Sequence, residues 1–115
     1  MAEECLFCRI VAGKIPSNIV YQDEDFLAFR DIEPQAPTHV IVIPKTHITS
    51  LAELAEEQQE LIGRLIILAQ KLAEEEGIAK SGYRLAINCG PEGGQVIPHL
   101  HFHLIGGRKL SDELG

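Results

Sequence analysis

His99-Leu100-His101-Phe102-His103-Leu104-Ile105 is the stretch on which the fold turns. Imidazoles and apolar residues alternate strictly, the period of a half-buried β-strand. Residues two apart in a strand project to the same side. Leu100, Phe102 and Leu104 therefore belong to the core, and His99, His101 and His103 line the opposite face, toward a cleft or a ligand. Same-face neighbours lie about 6.6–6.8 Å apart, so His99 and His103 are separated by about 13 Å. One small ion cannot be gripped by all three, because Zn–N bonds are only about 2.0–2.1 Å long. Two neighbouring tasks along the row fit better. The plainer alternative is three exposed histidines on an edge strand. Imidazole serves as nucleophile, acid or base near neutral pH. The preceding Cys89-Gly90-Pro91-Glu92-Gly93-Gly94-Gln95 is a tight glycine-rich turn. Its backbone amides suit an anionic phosphoryl group.

Working outward, Tyr83–Asn88 reads as the strand before that turn, and Gly106-Gly107 ends the histidine strand. Upstream, Leu61, Leu65, Leu68 and Leu72 repeat at helical spacing, a buried helix face. Ser50-Leu51-Ala52-Glu53 fits a capping box and Gly77 a C-cap, so one long helix, alone or preceded by a separate short turn, is predicted over roughly 51–76. Its Glu-rich outer side is a solvated face. His39–Ile43 is a β-branched strand closed by Pro44. Ile19-Val20-Tyr21 and Phe26–Phe29 form a hairpin around Asp23-Glu24-Asp25. Asp31 to Thr38, with Pro34 and Pro37, is an irregular loop. Cys5 to Gly13 is a short helix whose Leu6, Phe7, Ile10 and Val11 share a face, with Cys5 and Cys8 close together. Strands, helix, then strands predict an α+β domain: an antiparallel sheet with one long helix and a short N-terminal helix. No repeat or linker interrupts the chain, so residues 1–115 read as a single domain.

The 115 residues are 45% hydrophobic and 23% charged, the balance of a globular protein. Ten Lys and Arg against 17 Asp and Glu give a net charge of −7, which argues against nucleic acid or anionic lipid as a partner. No apolar run approaches the roughly 18 residues of a membrane span. Met1-Ala2-Glu3-Glu4 lacks the basic and apolar start of a secretory signal, and three cysteines cannot all pair. A cytoplasmic location is expected. Cys5-x-x-Cys8 has metal-ligand spacing, with a redox pair or a buried thiol pair as alternatives. Cys89 reads as a small packed residue.

The histidine strand resembles the His-φ-His-φ-His-φ-φ signature of the histidine triad (HIT) family, φ being apolar. The resemblance extends to Ala28-Phe29-Arg30-Asp31-Ile32, Pro34-Gln35-Ala36-Pro37-Thr38-His39, Val42-Ile43-Pro44-Lys45, Gly82-Tyr83-Arg84, Asn88, Gly93-Gly94-Gln95 and Leu104–Arg108, most of residues 5–108. The Gly106-Gly107-Arg108 ending is most similar to the Hint branch, which hydrolyses purine nucleoside phosphoramidates and forms homodimers. The third histidine is present, unlike in the nucleotidylyl-transferase branch.

The resemblance implies a role for each matching residue. His101 is the nucleophile that holds the nucleotidyl group covalently. His103, Asn88 and the Gly94-Gln95-Val96 backbone surround the phosphate, and His39 orients or supports the nucleophile. Asp31 takes the ribose hydroxyls. Phe7, Ile10, Phe29 and Ile32 make a purine slot, although core packing explains these apolar residues as readily, a strand start explains His39, and turn capping explains Asn88. The resemblance also implies a structural zinc on Cys5, Cys8, His47 and His99. The substrate class is a purine nucleoside 5′-phosphoramidate or related anhydride, including acyl-adenylates, with AMP or GMP as product. Dinucleoside polyphosphate hydrolysis, or a zinc-stabilised nucleotide-binding or interaction module with little turnover, are the alternatives. Two departures stand out. Val96 replaces the branch's Ser or Thr, and Ser111–Gly115 lacks its Trp-Pro-Pro-Gly-like tail.

Overall fold

The structure, a computed structural model, describes residues 5–112. Met1–Glu4, read above for a secretory signal, and the part of the C-terminal tail beyond Asp112 lie outside the described residues. The chain runs α1 (Leu6–Val11), β1 (Ile19–Gln22), β2 (Phe26–Arg30), β3 (Thr38–Pro44), α2 (Gln59–Glu75), β4 (Tyr83–Ile87) and β5 (Phe102–Gly106). The five strands form one antiparallel sheet in the order β1-β2-β3-β5-β4. The α+β architecture, the long helix and the short N-terminal helix are as predicted.

The predicted hairpin is present, and Asp23 builds it. Its Oδ1 accepts from the N–H groups of Asp25 and Phe26, both at 2.8 Å, which turns the chain back on itself. Strand β3 is central and buried along its whole length. Its β-branched residues therefore serve two faces. Val40 and Val42 pack with Leu65, Leu68 and Leu72 of α2 and with Leu100, Phe102 and Leu104. Ile41 and Ile43 pack on the other side with Phe7 and Ile10 of α1, Leu27 and Phe29. The two helices thus cover opposite faces of the sheet. His39 shares the parity of Ile41, and Ile41 pairs with His103 across β3 and β5, so both imidazoles lie on the α1 side.

Two boundaries and one helix face differ from expectation. The long helix starts at Gln59, not near 51, and follows the alternative of a preceding short turn: Leu51–Glu53 and Glu56–Gln58 are separate 3₁₀ turns. Ser50 does act as a cap, its Oγ accepting from the Ala52 N–H at 3.2 Å, but it caps the first of these turns. Leu54 and Ala55 are extended and break the helix. At its far end Gly77 closes α2 as expected: its N–H binds the Glu74 carbonyl and the Ile78 N–H binds the Ala73 carbonyl, both near 3 Å. The last strand begins at Phe102 rather than His99. Residues 99 and 100 leave the ladder because Leu100 N–H binds the Ile48 carbonyl at 2.6 Å and His99 N–H binds the Ile97 carbonyl at 2.8 Å. In α1, Phe7 and Ile10 are buried, but Leu6 is exposed rather than on the shared core face. Among the described residues no helix is long and apolar enough to cross a membrane.

Candidate active site and metal-ligand cluster

The five histidines sort into two groups. His47 and His99 gather with Cys5 and Cys8, while Asp31, His39 and His103 gather at the cleft with His101 beside them. Phe7 stands between, its ring edge-on to His99 at 5.9 Å and to His101 at 5.1 Å.

The first group is built by α1. Cys5 is its N-cap, and its sulfur accepts from the Cys8 N–H at 3.4 Å, which brings both thiols to one end of the helix. His99 Nδ1 lies 3.3 Å from Cys5 Sγ and 3.6 Å from Cys8 Sγ, and His47 Nδ1 lies 3.2 Å from Cys8 Sγ. All four donor atoms fall within 4.8 Å of one another. A tetrahedral ion with Zn–S bonds of about 2.3 Å and Zn–N bonds of about 2.0–2.1 Å places its sulfur and nitrogen ligands about 3.5 Å apart, so the donors fit such an ion. His99 is fully buried, and its Nε2–H donates to the Pro44 carbonyl at 2.9 Å. The proton is thereby fixed on Nε2 and Nδ1 presents a lone pair to the sulfurs. Burial first, then the neighbouring Cys5, pushes the Cys8 thiol up to about 11, so a cation entering here displaces protons. His99 turns to the two cysteines and not to the cleft, so the imidazole row divides between two places.

The second group handles protons differently. His101 is buried, and its Nδ1–H donates to the His99 carbonyl at 2.6 Å. That bond leaves the lone pair on Nε2, which has no protein partner among the described residues. Burial lowers the His101 pKa below 6.5, against a smaller upward pull from that carbonyl and from Asp31, so the ring is neutral at pH 7. His39 Nδ1 accepts the Gln35 N–H at 3.0 Å, so the neutral ring carries its proton on Nε2. That Nε2–H faces His103 Nδ1 at 2.9 Å and Asp31 Oδ2 at 3.4 Å. His103 accepts on Nδ1 and keeps its own proton on Nε2. Its pKa is lowered to about 4, by burial first and then by His101 and His39. Burial also lowers His39, partly opposed by Asp31. Asp31 is aimed by its other oxygen, which accepts the Glu33 N–H at 2.8 Å. Asp31, His39 and His103 also converge as three potential ligand atoms. A metal on His39 Nε2 would move that proton to Nδ1, against the Gln35 N–H. The backbone thus opposes a metal here.

A cleft of about 550 Å³ brings together Asp31, His39, Asn88 and His103. Phe29 is not among its walls and packs in the core with Phe7 and Ile10. Ile32 is 92% exposed at the surface and Val96 84% exposed on the glycine-rich turn. Asn88 Nδ2 donates to the Gly93 carbonyl at 2.6 Å, and Gln95 ties the turn down through Gly90 N–H and the Thr49 and Ile97 carbonyls. A Cβ on Gly93 would sit 2.3 Å from the Cys89 carbonyl oxygen, so only glycine fits there. The Gly94 and Gln95 N–H groups close the turn on the Pro91 and Gly90 carbonyls. The Val96 N–H meets no acceptor among the described residues. Sequence reasoning assigned no role to Arg84 and Arg108, which also border the cleft. Nor did it see the three backbone atoms that fix the histidine protons, since a carbonyl or N–H carries no sequence signature.

This sheet, with its imidazole row beside a glycine-rich turn, defines a histidine triad domain. Residues 12–110 match the HIT domain family, and the chain belongs to that family. It is a hydrolase. It is 50% identical over 114 residues to a purine nucleoside phosphoramidase of Escherichia coli K12, covering 99% of this chain and 96% of that one. A 14 kDa zinc-binding protein of Zea mays is 47% identical over 108 residues, 92% of this chain and 84% of that one. A crystal structure of an HIT family hydrolase from Legionella pneumophila superposes with a TM-score of 0.96 at 46% identity, covering 97% of this chain and all of the other.

Proposed function

We propose that the chain, acting as a single domain over 1–115, hydrolyses purine nucleoside 5′-phosphoramidates through a covalent nucleotidyl-His101 intermediate. The observation that carries this reading is the 2.6 Å bond from His101 Nδ1 to the His99 carbonyl, which leaves Nε2 as a neutral nucleophile at pH 7. Nε2 attacks the α-phosphorus. The P–N bond to the amine breaks as the N–P bond to His101 forms, and the amine leaves with a proton taken from water. Water then attacks the same phosphorus and releases the nucleoside monophosphate, freeing Nε2. Two moderate displacements replace one difficult one. His103 Nε2–H, Asn88 and the Val96 N–H donate to the non-bridging oxygens, where charge builds. Asp31 accepts from the ribose hydroxyls. Gly94 and Gln95 shape the phosphate turn, and the exposed Ile32 borders the base, with Phe29 in the core beneath that strand end. His39 holds the His103 tautomer.

Cys5, Cys8, His47 and His99 would hold a structural zinc ion. The donor set and its spacing support this, as does the zinc-binding relative from maize. Four protein ligands leave no open position, so the ion supplies cross-linking of α1 to the sheet rather than chemistry. Homodimerisation through the long helix and the free edge of β4 completes the proposal; Ile66 and Ile67 are exposed on that helix.

The test is chemical. Labelled adenosine phosphoramidate is mixed with enzyme, quenched within one turnover and the adduct mapped. AMP on His101 is expected. An adduct on another residue, or undiminished turnover in His101→Ala, overturns the mechanism. Sedimentation as a monomer overturns the dimer.

A further inference from the structure

Arg108 follows the last strand and makes no ion pair among the described residues. Its Nη2 donates to the Gln35 carbonyl at 2.7 Å. Gln35 is the residue whose N–H binds His39 Nδ1 at 3.0 Å, and His39 Nε2 in turn lies 2.9 Å from His103 Nδ1. A second contact joins the same two segments. Gly107 has φ +96° and lies so close to the loop that a Cβ would meet Pro37 Cβ at 2.9 Å. The end of β5 therefore rests on the loop 31–37 and carries Arg108 to Gln35. Gln35 itself is exposed, so Arg108 is the protein group that tethers its carbonyl.

We propose that Arg108 is a positioning residue for hydrolysis: by tethering Gln35 it keeps that N–H on His39 and so decides which ring nitrogens of His39 and His103 carry protons. The inference rests on the proposed role of His103 as a phosphate donor. Two neutral arrangements of the histidine pair are possible. With Gln35 in place, His39 holds its proton on Nε2 and His103 holds its proton on Nε2, available to a phosphate oxygen. With Gln35 displaced, His39 can hold its proton on Nδ1. His103 then donates from Nδ1 to His39, and its Nε2 turns a lone pair toward the phosphate. No proton is gained or lost, but a donor becomes a repelling acceptor at the point where negative charge develops.

The experiment has a spectroscopic arm and a kinetic arm, both on the full chain purified without chelator. Ring ¹⁵N–¹H correlation spectra at neutral pH report the tautomer of each histidine. In the wild type, His39 and His103 should both be protonated on Nε2. In Arg108→Ala they should become mixed, with kcat for adenosine phosphoramidate falling about 3- to 10-fold, the worth of one net hydrogen bond. KM should change less than kcat. Arg108→Lys, which still offers a cationic N–H donor, should restore most of both readouts. Gly107→Ala, which displaces the loop by a different route, should mix the tautomers in the same way. Unchanged ring tautomers in Arg108→Ala, with its amide spectrum otherwise intact, overturn the proposal. Mixed tautomers in an enzyme whose adduct does not form on His101 leave the positioning role standing and overturn the mechanism instead.

Discussion

His99 and His39 are both buried imidazoles on the same side of one sheet, yet the backbone prepares them for opposite tasks. A carbonyl, that of Pro44, faces His99 Nε2 at 2.9 Å and draws the proton there, so Nδ1 is bare beside two sulfurs. An N–H, that of Gln35, faces His39 Nδ1 at 3.0 Å and forces the proton to Nε2, beside His103. The first ring is ready for a metal and the second passes a hydrogen bond. The lesson is that the group behind a histidine, not the histidine, separates a ligand from a proton carrier.

The strongest way to break this comparison is at His101, the proposed nucleophile. His101→Ala should lower turnover by about 10⁴-fold or more, as removal of a nucleophile does elsewhere. Metal content and thermal midpoint should stay near wild type, checked by elemental analysis and calorimetry. A parallel loss of metal would show that the two groups are one unit.

The reverse substitution comes next. Cys8→Ser should cost about 4 kcal/mol or more of stability, read from denaturant unfolding, because the proposed structural ion and its cross-link would be lost together. Turnover per folded molecule should persist. A variant as stable as the parent would remove the case for a structural ion.

Acidity sharpens the contrast further. His39, His101 and His103 all have pKa values lowered in the fold, His103 to about 4. Below pH 6.5 the unfolded chain therefore binds more protons than the folded one. Stability should be full above pH 6.5 and fall as pH drops toward 4. His103→Gln should flatten that decline in denaturant midpoints taken across the range. A slope identical to wild type would mean that His103 is not held neutral.

The smallest effect belongs to the turn. Val96→Ser adds a hydroxyl beside the N–H proposed to meet the phosphate, and should stabilise the transition state by ~1–3 kcal/mol, measured as kcat/KM. An unchanged value would place that side chain away from the developing charge.

Much of the fold could be read from side-chain pattern alone. Period-two alternation located the core face of β5 through Phe102 and Leu104, and the leucine stripe located α2. The helix start stays open between two readings in the sequence because nothing in Leu54-Ala55 marks a break; neither is glycine or proline, and Ser50-x-x-Glu53 is an equally good cap for a 3₁₀ turn. The strand start was misplaced because His99 and Leu100 are tied to residues 97 and 48, contacts set by the tertiary fold. At the sites, sequence supplied the residue types. The structure gathers Cys5, Cys8, His47 and His99 in one cluster and Asp31, His39, Asn88 and His103 along one cleft. What the sequence did not supply were the backbone partners of the rings, the Pro44 and His99 carbonyls and the Gln35 N–H, which carry no side-chain signature.

Phe7 borders both clusters with a single ring. One buried ring wedged between two clusters means that trimming it cannot be a local act. An engineer who shortens this side chain removes packing from His101 and loosens the cysteine-bearing helix at the same stroke, so a less firmly seated imidazole and weakened anchorage would arrive as one package.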